Sequence, residues 1–414
     1  MFRNSRWALV ALGLAWSAPV LAQSETGGTP GEWLSSYRSA RTLGLGGAYV
    51  AGADDPLGVL WNPAGLSIMD QNELRFEHGI LFEDASVSGL GFAVPGSRLP
   101  SLGIAIVSMR SGEVQRTNDM NDDLGTFRET ETAYMFTASK AFTPRFSLGA
   151  NLKVIQQSVE DFSAGGFGAD LGLMYDVSPT LRVAASVANL GGPSHKLRDV
   201  EETYPTLFRA GIAATLFDGR GLFMAQLDQS SGAGTRMHAG GEYWFQPMLA
   251  LRAGFDEDAA TGGFGYQFHP QYSLDYAVTD HTLGLSHRVG LSYRFSGFFA
   301  SSNAEPQVFS PTGEKAVTRF TLNSRTKSSP TEWSLDLRNK ADEVVRRFGG
   351  KGQAPSHIEW DGKDETGMPL PDGVYRFRLV VKDAAGRVVT APEHVVEIAT
   401  GGPQGQVPVI PVQP

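Results

Sequence analysis

Between Glu73 and Phe295 the chain runs in segments near ten residues long in which apolar residues alternate with polar or small ones, and clusters of Gly, Pro, Asp and Asn separate the segments. In "YSLDYAVT", Tyr272, Leu274, Tyr276 and Val278 share one face, and Ser273, Asp275, Ala277 and Thr279 share the other. In "FSLGANLKV", Phe146, Leu148, Ala150, Leu152 and Val154 are set against Ser147, Gly149, Asn151 and Lys153. A period of two is that of β-strands. About fourteen such segments can be counted, an even number of the kind single-chain bacterial barrels use.

Alternation has two physical explanations. A soluble sandwich turns its apolar face inward, whereas a membrane barrel turns the same face to lipid and keeps the polar face for its lumen. Three features favour the barrel. Arg3 and Arg6, the apolar "WALVALGLAW" and the small residues "VLA" before Gln23 form an export signal over residues 1–22. Ser17 and Pro19 interrupt that run, which argues against a retained membrane helix. The strands match the roughly nine to eleven residues that cross a bilayer when tilted, and aromatics gather near strand ends. Phe82, Tyr134, Phe142, Tyr175, Phe217, Trp244, Phe245 and Tyr266 are expected to form interfacial girdles.

Composition removes several functions. The formal charge of −9 gives no drive towards nucleic acid. The chain has no cysteine, so disulfide, thiolate and lipidated-cysteine chemistry are absent. No Gly-x-Ser-x-Gly elbow accompanies His78, His238, His281 and His287, and no metal-binding spacing occurs, so neither an enzyme nor a cofactor or metal site is expected.

The glycine-rich "LGLGGAYVAGADDPLGVLWNPAGL", Leu43 to Leu66, could suggest a phosphate loop. Gly44-Leu-Gly46 is followed by Tyr49 where a dinucleotide fingerprint needs glycine, and no Walker lysine follows. A structural account fits better: the glycines allow close approach to a barrel wall, Asp55 and Pro56 start a short helix, and Asn62 and Pro63 end it. Of Asp54 and Asp55, one is expected to cap and the other to meet a lumenal arginine, with Arg41, Arg252, Arg288 and Arg294 as candidates. Asp228, Glu242 and Asp275 are expected to join the same ladder.

After Phe295, "SGFFASSNAEPQ" reads as a linker over 298–308, and the following residues 309–400 contain six or seven short strands, the size of an immunoglobulin-like sandwich. Asp361, Asp364 and Glu365 in "WDGKDETG" are expected to shape a turn. Residues 401–414 form a Pro/Gly-rich tail.

Two resemblances follow from these pieces. Ala40 and Arg41, Gly46, Gly47 and Ala48, Ala53, Asp54 and Asp55, and Asn62, Pro63, Ala64, Gly65 and Leu66 resemble, in order and spacing, the N-terminal signature of the PorV/PorQ group of FadL-like outer-membrane barrels. The likeness spans Gly31 to Phe295. "RVGLSYRF", with Arg288, Gly290, Leu291, Tyr293 and Phe295, is similar to the terminal β-signal of outer-membrane proteins, although more than a hundred residues follow it. "FSPTGE" and "WDGKDETGMPLPDGVYRF" resemble a FlgD-like immunoglobulin module; the family often has Asn-Gly-Asp where this chain has Thr312, Gly313 and Glu314.

The resulting expectation is an all-β chain: a plug over residues 23–71, a transmembrane antiparallel barrel over 72–297, and an immunoglobulin-like sandwich held in the periplasm. The resemblance implies an accessory role in type IX-like protein export or surface attachment, with a secretion translocon or exported cargo as partner. The alternative it implies is FadL-like passage of hydrophobic small molecules. A third reading from the residues is a soluble, secreted two-domain binding protein. Outer-membrane lipid and a periplasmic partner for the sandwich complete the expected contacts.

Overall fold

The computed structural model describes residues 30–400 apart from 98, 198–199, 232–233, 247, 258, 282–283, 313–315 and 385. The expected signal over 1–22 and the tail over 401–414 lie outside the described residues, as do Gly313 and Glu314.

Fourteen strands, from Asn72–Ile80 to Gly284–Phe295, close into a barrel in which each strand pairs antiparallel with the next barrel strand and the last pairs with the first. The closing seam sets Asn72 opposite Phe295 and Ile80 opposite His287. The β-signal segment is therefore the closing strand.

The wall is inverted relative to a water-soluble core. On Asn72–Ile80 the charged Glu73, Arg75 and Glu77 are buried inside, while Leu74, Phe76 and Ile80 are 42%, 49% and 57% exposed outside. The same alternation places Ser273, Asp275 and Ala277 inside the Tyr272–His281 strand. An outer wall of exposed leucine, isoleucine and phenylalanine suits hydrocarbon, because water would make it a large aggregating patch. No helix among the described residues is long and apolar enough to cross a membrane; the strands are the elements available for it.

Three consecutive strands exceed the expected ten residues: Glu129–Thr143, Phe146–Val159 and Phe162–Ser178 have 15, 14 and 17 residues. They rise above the rim at the end distant from the C-terminal module. There Phe162–Ser178 outlasts its partner Leu181–Leu190, and Gly166 and Gly168 bring it against Ser194 and Pro193. Ser194–Leu197 pairs with Val200–Thr203 in a hairpin, and a second hairpin joins Val114–Thr117 to Asp123–Phe127.

At the opposite rim the aromatics gather. Tyr272 stacks on Tyr293 at 4.8 Å, Tyr293 on Phe295 at 5.0 Å, and Phe92 on Phe295 at 6.3 Å. The expected girdle residues Phe142, Tyr175, Phe217, Phe245 and Tyr266 are exposed at this same rim, and Phe82 is at the other. Trp244 is a correction. It shares the inward face of Glu242, to whose Oε1 its Nε1 donates at 3.3 Å, because an indole N–H finds no acceptor in lipid.

The C-terminal module packs a three-stranded sheet against a six-stranded one. Trp360, Phe320, Phe377, Leu335 and Leu379 fill the space between them. The expected linker over 298–308 is corrected: Phe299–Glu305 is a strand paired with Thr318–Arg325, and Val308–Phe309 pairs with His394–Ile398. Alternation in "FASSNAE" uses small residues, which hid it, yet Ala300, Ser302 and Ala304 are buried. Asp364 Oδ1 accepts from the backbone of Thr366 and Met368, and Asp361 pairs with Lys363 at 2.9 Å, so these acids do shape a turn.

Leu152 lies midway along Phe146–Val159 and is 68% exposed on the outer wall. Leu152→Arg should cost about 2–4 kcal/mol in denaturant-driven unfolding from lipid vesicles. Leu152→Ile should change little.

Candidate functional site: the plugged lumen

The N-terminal segment threads the barrel from end to end. It enters beside the distant rim, where Glu32 pairs with Arg236 at 2.6 Å and Trp33 Nε1 donates to Tyr204 Oη at 2.9 Å. It leaves at the opposite rim through Met69 and Asp70. Two short α-helices, Glu32–Ser35 and Ala40–Gly44, the 3-10 segments Gly58–Leu60 and Pro63–Ile68, and turns compose it, so many of its backbone polar groups have no helical partner and must find one elsewhere.

The wall supplies them. Gln226 Oε1 accepts from the backbone N–H of both Tyr49 and Val50, at 2.9 and 2.7 Å. Asn151 Nδ2 donates to Val59 O, Ser186 Oγ to Trp61 O, and Arg209 Nη1 to Leu60 O. Asn62 reaches the other way, its Nδ2 donating to Leu173 O at 3.0 Å.

Close approach needs glycine on both sides. Gly46, at φ +61°, sits against the backbone of Ala239 and Phe255, and Gly240 and Gly254 of the wall sit against Leu45 and Gly46. A Cβ on any of these would strike backbone. Gly47 lies beside Arg38 and His238, Gly65 against Ala53 O, and Ala48 is wholly buried. Pro63 packs onto Gly149.

Charges form a continuous ladder. Arg41 joins Asp54 at 2.5 Å and Glu242 at 3.3 Å; Glu242 meets Arg252 at 2.6 Å; Arg252 meets Asp275 at 2.7 Å; and Asp275 meets Arg75 at 2.9 Å. Arg75 then holds Glu77 at 2.7 Å, whose other oxygen accepts from Ala40 N in the plug. A second group links Arg38 of the plug to Asp256 at 2.9 Å, and Asp256 to His238 at 2.8 Å. Lys153, Asp170 and Asn189 make a third. Removing one member of such a buried pair costs about 3–5 kcal/mol.

The two aspartates divide as expected: Asp54 meets Arg41, and Asp55 caps, its Oδ1 accepting from Leu57 N and Gly58 N and its Oδ2 from the Tyr49 hydroxyl. Arg294 goes to Glu73, and Arg252 to Glu242 and Asp275. The Asp55-Pro56 pair closes a turn before the 3-10 segment Gly58–Leu60, and does not open a helix there. Asn62-Pro63 follows the end of that segment, as expected, and also begins the 3-10 helix Pro63–Ile68: Asn62 Oδ1 caps Ala64 N, and proline suits a first helical position. Of the named histidines, His78 and His287 lie on the outer face beside Ser88 and Tyr276, His238 is in the lumen with acids, and the His281 side chain lies outside the described ones. No group of three His, Asp or Glu among the described residues is placed to hold a metal. Sequence reading missed Glu73, Arg75 and Glu77, although acids and a base at period two between Leu74 and Phe76 signal a polar lumen face.

Two of the cavities bear on function, and they share no lining residue. One of about 1000 Å³ lies between the plug, the rim arginine Arg294 and the module's Val388–Pro392, and is polar. The other, of about 380 Å³, opens at the distant rim; Trp33, Leu43, Leu81, Phe82, Val87 and Met109 form its apolar side, and the charged Glu32, Arg38, Arg236, Asp256, Glu257 and Arg288 line the rest.

The module is pinned to the plug. Lys327 is buried, its Nζ donates to the carbonyls of Ser67 and Met69 and meets Asp70 at 3.3 Å, and it lies over the Phe298 ring. Burial pushes this ammonium below its ordinary pKa, with Asp70 opposing. Phe298 N donates to Asp70 O at 2.6 Å.

With this geometry established, comparison adds the following. Residues 309–386 match the FlgD Ig-like domain. No curated protein matches the chain. Among solved structures, the toluene transporter TodX of Pseudomonas putida is similar at 13% identity and TM-score 0.49, covering 62% of this chain and 97% of that one. The monoaromatic hydrocarbon channel CymD gives 14%, 0.47, 62% and 97%. A Pseudomonas aeruginosa FadL homologue gives 12%, 0.48, 62% and 98%. At these values the likeness decides nothing; the barrel rests on its own strand pairing.

Gly46→Val should unseat the plug at a cost of roughly 1–3 kcal/mol. Proteolysis between residues 40 and 66 should quicken while heat-modifiable gel migration persists; loss of that migration would show the plug is needed for assembly. Lys327→Met should cost about 1–3 kcal/mol of module docking, read as faster amide exchange at Phe298.

Proposed function

We propose that this protein is an outer-membrane barrel that admits hydrophobic small molecules at the rim distant from its immunoglobulin-like module, with the module in the periplasm. The observation carrying this reading is the pocket of about 380 Å³ walled by Trp33, Leu43, Leu81, Phe82, Val87 and Met109, seated on a plug that closes the lumen. Concave, mostly apolar sites with a few polar groups are the form small-ligand pockets take. The orientation follows from loop size: barrel proteins put short turns on the periplasmic side and longer excursions outside, and both extra hairpins lie at the distant rim. Passage requires displacement of the plug into or past the polar cavity of about 1000 Å³.

A second reading has its own support. The lumen is sealed by ion pairs and the module is pinned by Lys327, which suits a docking role in protein export of the kind the PorV/PorQ resemblance implies. Co-purification with a large translocon supports that reading, and bound hydrophobic compound in the purified protein supports the first.

Val87 is buried and faces the pocket. Titrating the detergent-solubilised protein with naphthalene-2-methanol should quench tryptophan fluorescence, and Val87→Trp should fill the pocket and weaken binding by about tenfold or more. Binding undiminished in Val87→Trp sinks the pocket reading.

A further inference from the structure

Arg288 is the exception among the lumenal arginines. Arg38, Arg75, Arg209 and Arg252 each meet a carboxylate within 3.2 Å. Arg288 is only 6% exposed, yet among the described residues no carboxylate lies within ion-pair distance of it. Its Nε donates to Arg38 O at 3.1 Å, and its Nη1 to Ser286 Oγ at 3.2 Å and His287 O at 3.5 Å. These are neutral acceptors. They leave the guanidinium without an ion-pair partner among the described residues, the Glu77 carboxylate acting on it only from a greater distance while held by Arg75, and a buried charge without a paired counter-charge is costly.

The guanidinium lines the outward pocket, and the carboxylates there are engaged elsewhere. Glu32 and Glu257 are held by Arg236 at 2.6 and 3.3 Å, and Asp256 by Arg38 and His238. Gly79, opposite Arg288 on the neighbouring strand, has no side chain and leaves room for the guanidinium. The pocket thus combines aromatic and aliphatic walls with three arginines, of which Arg38 and Arg236 are paired with carboxylates and Arg288, among the described residues, is not.

We infer that Arg288 selects an organic anion in this pocket: a compact molecule with an apolar ring body and a single carboxylate. The ring packs against Trp33, Phe82 and Val87, and the carboxylate supplies the counter-charge that Arg288 lacks. Guanidinium and carboxylate match as a two-pronged pair of charge-assisted hydrogen bonds, which a neutral alcohol cannot form. The inference rests on the outward pocket being a ligand site.

The test compares 2-naphthoate with naphthalene-2-methanol, two probes of one ring body, by tryptophan quenching of the full-length protein in neutral detergent. Wild type should bind the carboxylate at least about tenfold more tightly than the alcohol. Arg288→Met and Arg288→Gln should lose that preference while still binding the alcohol. Equal affinities in wild type overturn the inference without any variant having to fold, as does a preference that survives in Arg288→Met. Binding of neither probe by wild type overturns the pocket reading itself, whereas equal binding of both leaves that reading standing.

Discussion

A charge buried without a partner is the constraint on which the rest of this structure depends. The barrel places Glu73, Arg75, Glu77, Glu242, Arg252 and Asp275 on its inner face, where neither lipid nor bulk water can solvate them. Each therefore needs an opposite charge at hydrogen-bond distance, and the ladder from Arg41 through Glu242, Arg252 and Asp275 to Arg75 and Glu77 supplies it. Both ends of the ladder close on the plug, through Arg41 and Ala40 N. The plug is thus part of the wall's electrostatic balance, and its withdrawal would strand charges on both.

The same logic governs its irregular backbone. Helical pieces of three to six residues leave much of their backbone without an internal partner, and the wall answers with amides and hydroxyls: Gln226, Asn151 and Ser186 each reach a plug backbone group. Elsewhere the two backbones touch directly, at Gly46 facing Gly240 and Gly254. Outside, the wall presents leucine, phenylalanine and isoleucine, so one strand satisfies two solvents by alternation alone.

At the rim the module adds a third layer of dependence. Lys327 completes carbonyls at the end of the plug's last helix, a position where backbone acceptors lack partners. The module, the plug and the rim are consequently one mechanical unit at that end, with the polar cavity between them. At the other end the apolar pocket stands above the sealed plug.

The sequence alone determined the strand period, the strand number and the existence of a second β-module, because alternation depends only on which face each residue takes. It also marked Gly46, Gly47, Asp54, Asp55 and Asn62 as structural, since their spacing excluded a phosphate loop. Which carboxylate meets which arginine was decided only by the closed barrel, because Arg41 and Glu242 lie 201 residues apart and adjoin only when the ring closes around the plug. Phe299–Glu305 became a strand for the same reason: a neighbour contributed by another part of the chain, Thr318–Arg325, outweighed local composition. Arg288 shows the limit most clearly. Its place on the inner face could be read from period two, but the missing counter-charge is a property of the space around it, and only the tertiary structure defines that space.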